Sequence, residues 1–287
     1  MTRDLRAAVR EASRRLDEAG VGSADVDAVA LAALALGTTP AEVQRLMVLG
    51  APEPEGLADL VEERARRVPL QHLTGRAGFR RLELSVGPGV FVPRPETEVV
   101  AGLAIQACEG LDVPVVVDLC TGSGAIALSV KDEVPAARVH AVELSGLAVA
   151  WASRNRDDLG LDVDLREGDA TSAFPELEEA VDVVVSNPPY IPVGAVPLDP
   201  EVRDHDPELA LYGGSADGLA IPLAVAARAA VLLRDGGVLV MEHADVQGES
   251  LPAALRAAGC WADVHDEHDL TGRPRATVAV RAPRLAP

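Results

Sequence analysis

The sequence predicts an α/β fold with a mainly parallel sheet, preceded by a small helical bundle. Between residues 1 and 75, apolar residues recur at helical spacing. From residue 96 to residue 287, short apolar runs alternate with helical patterns, which is typical of parallel strands joined by crossover helices. A β-rich stretch at 76–95 lies between the two regions and predicts a hairpin linker.

The helical region contains several start and stop signals. Four apolar residues at helical spacing end before Gly20 and define the first helix: Leu5, Val9, Ala12 and Leu16. Ser23 begins a second helix that ends at Gly37, and Thr39 begins a third through a capping box with proline at its first position. A fourth amphipathic helix covers 57–68. Because this region lacks ligand-loop motifs, we expect it to recognise a protein partner.

The linker and the sheet follow in order. The β-rich run at 79–92 surrounds Gly87-Pro88-Gly89 and predicts the hairpin. The seven predicted strands are 115–119, 138–142, 163–167, 181–186, 238–242, 262–267 and 276–281. Ligands of such sheets bind beyond the carboxyl ends of the strands. Four polar residues fall at those ends: Asp118, Glu143, Asp169 and Asn187.

The first strand leads into a loop with glycines at 122 and 124, followed by an apolar helix. Such glycines let the backbone approach a nucleotide at a helix N-terminus. Glu143 ends the next strand, where a carboxylate can accept both hydroxyls of a ribose. The pattern suits either a nicotinamide dinucleotide or S-adenosylmethionine.

The tetrapeptide Asn187-Pro188-Pro189-Tyr190 follows the fourth strand and predicts a clamp for a planar NH2 group. The Asn187 side-chain oxygen and the Pro188 carbonyl can each accept one hydrogen of that group, while the Tyr190 ring packs against its plane. A methyltransferase acting on nitrogen needs such a clamp opposite a sulfonium, whereas a hydride-transfer enzyme does not. We therefore favour S-adenosylmethionine, with Asp169 as the partner of the adenine amino group or, alternatively, as a surface turn residue.

These motifs belong to a longer set that resembles the HemK/PrmC family of protein-(glutamine-N5) methyltransferases. The matching segments begin at Pro69, Phe91, Asp118, Asn187, Asp206 and Gly236. The resemblance implies a class I S-adenosylmethionine-dependent methyltransferase, with a Rossmann-like, seven-stranded, mainly parallel sheet. It also implies methylation of the glutamine in the Gly-Gly-Gln motif of peptide-chain release factors, which supports translation termination.

The resemblance assigns roles to individual residues. The implied cofactor-binding residues are Asp118, Cys120, Thr121, Gly122, Ser123, Gly124, Glu143, Asp169, Ala170 and Asn187. The implied substrate-binding residues are Arg94, Asn187, Pro188, Pro189 and Tyr190, of which Asn187, Pro188 and Tyr190 are catalytic. Arg94 could instead cap the following helix. Cys120 replaces a glycine usual in the family, and Ala170 replaces a residue that is often larger. If position 120 needs a positive φ, a side chain there costs about 1–2 kcal/mol.

Charge and composition limit the function classes. The net charge is −19, and residues 1–75 hold nine basic and twelve acidic residues against 17 and 33 in the remainder. An acidic catalytic region would repel phosphate backbones, so we expect a basic protein partner rather than nucleic acid. Three scattered cysteines, with no metal-ligand spacing, fit a reducing cytoplasm and no bound metal. The longest apolar run, 28–36, is too short for a membrane span.

Three alternatives stay open. An adenine-N(6) methyltransferase on DNA or RNA would use the same clamp, but the acidic charge opposes it. A nicotinamide-dependent oxidoreductase would share the glycine loop and leave the clamp unexplained. A non-catalytic cofactor-binding protein would need a broken clamp, and this clamp is complete.

Overall fold

A computed structural model describes residues 3–284 of the chain. The chain forms two compact units, of which the first combines the residues up to Arg76 with Pro197–His205. The second combines Ala77–Val196 with the chain from Asp206 onward. The termini of the first and last predicted domains, residues 1–2 and 285–287, lie outside the described residues.

The helices and strands alternate as the sequence pattern predicts. The helices are α1 Leu5–Glu18, α2 Ala24–Leu36, α3 Pro40–Val48, α4 Leu57–Ala65, α5 Leu70–Thr74, α6 Thr97–Ala107, α7 Ala125–Glu133, α8 Gly146–Leu159, α9 Pro200–His205, α10 Ala220–Leu232 and α11 Ser250–Ala257. The strands are β1 Arg76–Phe79, β2 Leu82–Ser85, β3 Val115–Leu119, β4 Arg138–Glu143, β5 Val163–Glu167, β6 Val181–Ser186, β7 Leu233–Glu242, β8 Trp261–His268 and β9 Pro274–Arg281.

In the first unit, local capping sets the helix ends. The Asp4 side chain accepts a hydrogen bond from the Ala7 N–H at the start of α1. The Thr39 hydroxyl accepts from the Glu42 N–H at the predicted start of α3, and Gly37 ends α2 with a φ of +62°. Within residues 3–284, no single helix has both the length and the apolar content to cross a membrane. The consecutive helices α2 and α3 together have that length and apolar content, but the pair is bent by 90°.

A buried ionic cluster joins α9 to the helices of the first unit. Arg64 on α4 donates from Nε to Asp27 Oδ2 at 2.7 Å and from Nη1 to Glu201 Oε1 at 2.8 Å. Arg67 donates from Nε to the same Glu201 oxygen at 2.8 Å, and its Nη2 donates to Oε2. Asp27, Arg64 and Glu201 are all less than 10% exposed. The segment Pro197–His205 is therefore held by paired buried charges.

The hairpin lies earlier in the chain than the sequence indicated. Strands β1 and β2 pair across a turn at Arg80, which has a φ of +52°. A hairpin is therefore present within the predicted stretch 76–95, but its turn lies at Arg80 and not at Gly87-Pro88-Gly89 as expected. Gly87 serves close packing instead, because a Cβ there would lie 2.7 Å from the Trp151 ring.

The second unit contains a seven-stranded sheet in the order β5-β4-β3-β6-β7-β9-β8. The first five of these strands are parallel, and β9 pairs antiparallel with both β7 and β8. All seven predicted strands are confirmed, although β7 begins at Leu233, before the predicted start. Apolar clusters cover both faces of the sheet.

The register aligns the carboxyl ends of four parallel strands. Leu119 pairs with both Val142 and Ser186, and Ser186 pairs with Met241. The next residue on each strand forms a row, which we call the end row, made of Glu143, Cys120, Asn187 and Glu242. The edge of the sheet at which the sequence predicts ligand binding is therefore a continuous row of residues across four strands.

Candidate active site

The glycine loop, residues 120–124, connects β3 to α7. Gly122 has a φ of +59° and Gly124 a φ of +85°. A Cβ on Gly124 would lie 2.9 Å from Leu128 Cδ1, whereas one on Gly122 would meet no atom within 4 Å. Gly124 therefore permits close helix packing, and Gly122 shapes a backbone that faces open space. The Asn155 side chain supports the loop by donating to the Ser123 carbonyl at 2.9 Å.

Cys120 has a φ of +69°, which lies in the left-handed region. Its N–H and that of Thr121 both donate to the Val142 carbonyl, at 3.1 and 3.0 Å, so the strained backbone is held by β4. Position 120, where glycine is usual in the family, therefore has the positive φ considered in the sequence analysis. A side chain in this conformation costs about 1–2 kcal/mol. Burial raises the pKa of the Cys120 thiol well above its ordinary value, and Glu143 and Asp118 add to this effect.

Asp118 is fully buried at the end of β3. Its Oδ2 accepts from the Thr121 hydroxyl at 2.6 Å and from the Ala127 N–H at 3.1 Å. Burial raises the pKa of Asp118 to about 7, against the opposing effect of these two hydrogen bonds. Its Oδ1 is buried without a hydrogen-bond partner in residues 3–284. Asp118 thus holds the glycine loop and keeps one oxygen for a donor or a cation.

Glu143 lies in the end row beside the glycine loop. Its Oε2 accepts from the Gly122 N–H and its Oε1 from the Ser145 N–H, each at 2.9 Å. A carboxylate oxygen has two acceptor sites, so each oxygen can accept one more hydrogen bond. The side chain is therefore fixed by the backbone and can bind a pair of vicinal hydroxyls, as the sequence predicts.

Asp169 and Ala170 follow β5. Asp169 is exposed, and its Oδ1 accepts from the N–H and the hydroxyl of Thr171, both at 2.8 Å. These hydrogen bonds lower the pKa of Asp169. This turn is the surface alternative that the sequence left open. Within residues 3–284 the other carboxylate oxygen, Oδ2, accepts no hydrogen bond, and the adenine role of Asp169 stays a prediction. Ala170 packs into the core on the same face as Phe174.

The clamp residues follow β6. Asn187 Nδ2 donates to Thr97 Oγ1 at 3.3 Å, and the Tyr190 hydroxyl donates to Glu242 Oε1 at 3.3 Å. Neither Asn187 Oδ1 nor the Pro188 carbonyl accepts a hydrogen bond from the described part of the chain. These two oxygens are the pair that the sequence analysis expected to accept from a substrate NH2 group. Pro188 itself is buried, and Pro189 is half-buried.

The backbone after the clamp depends on close glycine contacts. A Cβ on Gly218 would lie 2.1 Å from the Tyr190 carbonyl oxygen, and one on Gly213 would lie 1.9 Å from the Gly218 oxygen. The Gln247 side chain donates to the Tyr190 carbonyl at 3.0 Å. The backbone that packs against the Tyr190 carbonyl therefore has no room for a side chain at Gly213 or Gly218. Sequence reasoning missed four supporting residues: Thr97, Gly218, Glu242 and Gln247.

Arg94 is part of an ion pair. Its Nη2 donates to Asp206 Oδ2 at 2.7 Å, and its guanidinium lies 5.2 Å from the centre of the Phe91 ring. The Asp206 side chain is fully buried, so this pair anchors the chain where it re-enters the second unit. The Arg94 carbonyl also accepts a hydrogen bond from the Thr97 N–H at 3.1 Å, at the start of α6, so the capping alternative is present in the backbone. A substrate role for Arg94 stays a prediction.

Together these residues can hold a nucleoside-bearing cation on one side of the end row and an NH2 group on the other. In residues 3–284, no group of three or more His, Cys, Asp or Glu residues is placed to hold a metal ion. The open acceptors beside the glycine loop and in the clamp favour group transfer between two bound molecules, with the sheet fixing their separation.

Two protein families match parts of the chain. Residues 7–75 match the PrmC N-terminal domain, and residues 84–197 match the methyltransferase small domain. A release factor glutamine methyltransferase from Streptomyces coelicolor is 52% identical over 97% of this chain and 98% of its own length. A protein of the same name from Mycolicibacterium smegmatis is 48% identical over 99% of this chain and its full length.

Two further similarities concern other substrates. A 4-amino-L-phenylalanine/4-methylamino-L-phenylalanine methyltransferase from Streptomyces pristinaespiralis is 41% identical over 99% of this chain and 97% of its own length. The crystal structure of the hMettl16 catalytic domain in complex with the MAT2A 3'UTR hairpin 6 superposes with a TM-score of 0.53. It is 13% identical and covers 70% of this chain and 76% of that chain. This likeness confirms the predicted class I methyltransferase fold.

Proposed function

Because the chain belongs to the family of release factor glutamine methyltransferases, we propose that it methylates the side-chain amide nitrogen of a glutamine in peptide-chain release factors. The glutamine is that of the Gly-Gly-Gln motif, and the methyl donor is S-adenosylmethionine. The observation that carries the proposal is the clamp: Asn187 Oδ1 and the Pro188 carbonyl are open acceptors, one strand away from the glycine loop. The consequence in the cell is support of translation termination.

The cofactor side of the site fits S-adenosylmethionine. Glu143 has one acceptor site left on each oxygen for the ribose hydroxyls, and Gly122 leaves space for the nucleoside. The unpartnered Asp118 Oδ1 can accept from the positively charged methionine portion, directly or through water. Thr121, Ser123 and Gly124 shape the loop, and Asp169 and Ala170 would lie beside the adenine. When bound, the cofactor supplies an electrophilic methyl group on a sulfonium.

The clamp compensates for a weak nucleophile. The lone pair of an amide nitrogen is delocalised into its carbonyl, so positioning must supply much of the catalysis. Acceptors on Asn187 and Pro188 would hold both N–H groups and leave the nitrogen facing the methyl group, while Tyr190 and Pro189 pack beside the amide plane. Alignment at reacting distances of about 3–3.5 Å can contribute about 7–11 kcal/mol. Methyl transfer would break the sulfur–methyl bond and form a nitrogen–methyl bond. The strongly acidic, protonated amide nitrogen would then release one proton to water.

Recognition of a whole protein is assigned to the helical region. We propose that residues 1–75 bind the release factor, that 76–95 link the regions and that 96–287 carry the catalysis. The −19 net charge suits a basic protein partner and disfavours direct contact with nucleic acid. We further propose a cytoplasmic location without membrane attachment, because release factors act there.

A second candidate is methylation of a small aromatic amine. One relative, at 41% identity, is named for 4-amino-L-phenylalanine, whose NH2 group the same clamp could hold. The 52% identity to a release factor enzyme favours the first candidate. Methylation of an adenine amino group is the third candidate, and the acidic net charge of the chain disfavours binding of nucleic acid.

The deciding experiment offers the protein one labelled methyl donor and four acceptors. These are a purified release factor, the same factor with its motif glutamine changed to alanine, 4-amino-phenylalanine, and DNA or RNA. We expect label only on the unmodified release factor. Label on the amine or the nucleic acid, or on the factor lacking the glutamine, would assign a different substrate.

The first prediction concerns Asn187. Asn187→Ala should reduce kcat by about 10²–10³-fold, the usual effect of removing one positioned transition-state interaction. Asn187→Asp keeps an acceptor but loses the Nδ2–Thr97 hydrogen bond, so we expect only part of the activity to remain. Tyr190→Ala should impair substrate use more than cofactor affinity. Wild-type turnover by Asn187→Ala at saturating cofactor would refute the clamp.

A further inference from the structure

Gln247 is a buried glutamine in the short turn that follows β7. The residue is 3% exposed, and its side chain hydrogen-bonds to three separate stretches of backbone. Nε2 donates to the Tyr190 carbonyl at 3.0 Å and to the Asp217 carbonyl at 2.9 Å, and Oε1 accepts from the Ala244 N–H at 3.0 Å. Both hydrogens of the NH2 group and one lone pair of the oxygen are therefore used within the protein.

The polarity of these three partners fixes the orientation of the Gln247 amide. Nε2 faces two carbonyl oxygens, which only accept hydrogen bonds, and Oε1 faces an N–H group, which only donates. The opposite orientation would place an oxygen against two oxygens and an NH2 group against an N–H, and all three hydrogen bonds would be lost. The amide therefore connects the clamp, the loop at Asp217 and the turn after β7 in one arrangement only.

Gly218 allows the clamp backbone to approach Gln247 closely. A Cβ on Gly218 would lie 2.1 Å from the Tyr190 carbonyl oxygen and 3.0 Å from Gln247 Nε2. A side chain at position 218 would thus collide with both partners of the hydrogen bond between Gln247 and Tyr190. The absence of a side chain there is a condition of that hydrogen bond.

The peptide group that follows Tyr190 is held at both of its polar atoms. Its carbonyl accepts from Gln247, and its N–H, that of Ile191, donates to the Leu211 carbonyl at 2.8 Å. The Tyr190 hydroxyl donates to Glu242 Oε1 at 3.3 Å. Because Glu242 and Gln247 lie at the two ends of the segment 242–247, this one segment contacts Tyr190 at its backbone and at its ring.

The two prolines make the geometry of the clamp depend on the residues that flank them. Pro188 and Pro189 have no N–H groups, so they cannot anchor the chain by donating hydrogen bonds. Upstream, Ser186 is paired with strands on both sides. Downstream, Gln247 holds the Tyr190 carbonyl. Because proline also fixes φ, anchoring the chain on both sides sets the direction of the Pro188 carbonyl between the anchors.

We propose that Gln247 is a positioning residue of the clamp. By holding the Tyr190 carbonyl, it sets the direction of the Pro188 carbonyl and the place of the Tyr190 ring. The inference rests on the proposed function and deepens it, because these positions matter for catalysis only if the clamp binds a substrate NH2 group. The hydrogen bond itself is a property of the protein alone and can be measured without substrate.

The kinetic test uses Gln247→Glu in the full chain. This variant keeps an acceptor for the Ala244 N–H, but an ionised carboxylate has no proton to donate to Tyr190 or Asp217. With a release factor and saturating cofactor at alkaline pH, kcat should fall by about 10²-fold, since small misplacements near an active site typically have that effect. Cofactor Kd in calorimetry should be unchanged, because Gln247 makes no hydrogen bond to the glycine loop or to Glu143 within residues 3–284.

Lower pH should restore part of the lost activity of Gln247→Glu. A buried carboxyl group that faces two carbonyl oxygens has a pKa above its ordinary value. As the pH falls through that pKa, the group gains a proton and can donate to one of the two carbonyls. The kcat of Gln247→Glu relative to the wild type should therefore rise as the pH falls. A general loss of folding would instead reduce the number of cofactor sites and leave kcat per site unchanged.

Two further variants complete the kinetic test. Gln106→Glu makes the same change of charge at an exposed position of α6 and should leave kcat and its pH dependence unchanged. Gln247→Met has a side chain of similar length that neither donates nor titrates, so its kcat should be low at every pH. Wild-type kcat in Gln247→Met, or a Gln247→Glu defect of the same size at every pH, would overturn the inference. Gln247→Met decides the question if Gln247→Glu does not fold.

A measurement without substrate separates this inference from the proposed function. The NMR signal of the Tyr190 backbone carbonyl carbon responds to hydrogen bonding at its oxygen. It should shift in Gln247→Met, titrate in Gln247→Glu and match the wild type in Gln106→Glu. A wild-type Tyr190 carbonyl signal in Gln247→Met would show that Gln247 does not hold this group and would overturn the inference. Failure of the wild type to methylate any release factor would instead overturn the proposed function and leave this measurement valid.

Discussion

The stability of the first unit should depend strongly on the Glu201 carboxylate, which lies at the centre of the buried ionic cluster. Glu201 accepts hydrogen bonds from Arg64 and Arg67, and the cluster also contains Asp27 and Asp199. Removing one partner of a buried ion pair typically costs about 3–5 kcal/mol. Arg64 retains Asp27, and Glu201→Gln retains one acceptor oxygen. We therefore expect a loss of about 2–3 kcal/mol in the stability of the first unit.

The assay must report on the first unit. Both tryptophans, Trp151 and Trp261, lie in the second unit, so their fluorescence reports on the wrong part of the chain. Amide hydrogen exchange of α4 and α9 is a direct measure of local opening. At 1.36 kcal/mol per tenfold, Glu201→Gln should accelerate exchange there about 30- to 150-fold.

The control and the pH dependence sharpen the test. Glu62→Gln removes the exposed partner of Arg15 and should leave exchange in α4 and α9 nearly unchanged, because exposed ion pairs contribute little to stability. Although burial acts to raise it, hydrogen bonds from Arg67 and Arg64 hold the pKa of Glu201 well below its usual range. A carboxyl group whose pKa is lower in the folded than in the unfolded state stabilises the fold at pH values above the pKa of an ordinary glutamate. This stabilisation is lost as the pH falls from there toward the lowered pKa. Equal exchange in the Glu201 and Glu62 variants at pH 7 would refute the reasoning.

Two further predictions concern the cofactor side. Glu143→Ala should weaken S-adenosylmethionine binding by about 1.5–3 kcal/mol in calorimetry, because it removes the acceptors for the ribose; an unchanged Kd would contradict this assignment. Cys120→Gly should be more stable than Cys120→Ala by about 1–2 kcal/mol in urea unfolding, because only glycine adopts a φ of +69° without strain. Equal stability would show that the loop relaxes when the side chain is changed.

The sequence predicted the part of the site that depends on short-range order. Glu143 and Asn187 each follow a strand directly, and the carboxyl ends of parallel strands meet at one edge. Their proximity therefore follows from local pattern and sheet direction alone. The glycine loop was predictable for the same reason, as was the strain at Cys120, because glycine is the residue usual at that position in the family.

The supporting residues were beyond sequence reasoning because they depend on packing between distant segments. Thr97 is 90 residues from Asn187, and Glu242 is 52 residues from Tyr190. Neither carries a local signal, since a threonine at a helix start and a glutamate at a strand end are common. The hairpin was misplaced because Gly87 resembles a turn residue, although the structure uses it for contact with Trp151.

The proposed clamp and the proposed recognition region lie on backbone that is held in different ways. Asn187 is fixed to the sheet, since Ser186 donates from its hydroxyl to the Leu119 carbonyl on the adjacent strand. The segment Pro197–His205, which follows the clamp, is held instead by the ionic cluster of the first unit. Substitution of Asn187 should therefore act on kcat, whereas loosening Glu201 should act on KM for the whole release factor and spare cofactor affinity. The proposed separation of chemistry from recognition rests on this difference, because strand register positions Asn187 whereas buried side-chain charges hold Pro197–His205.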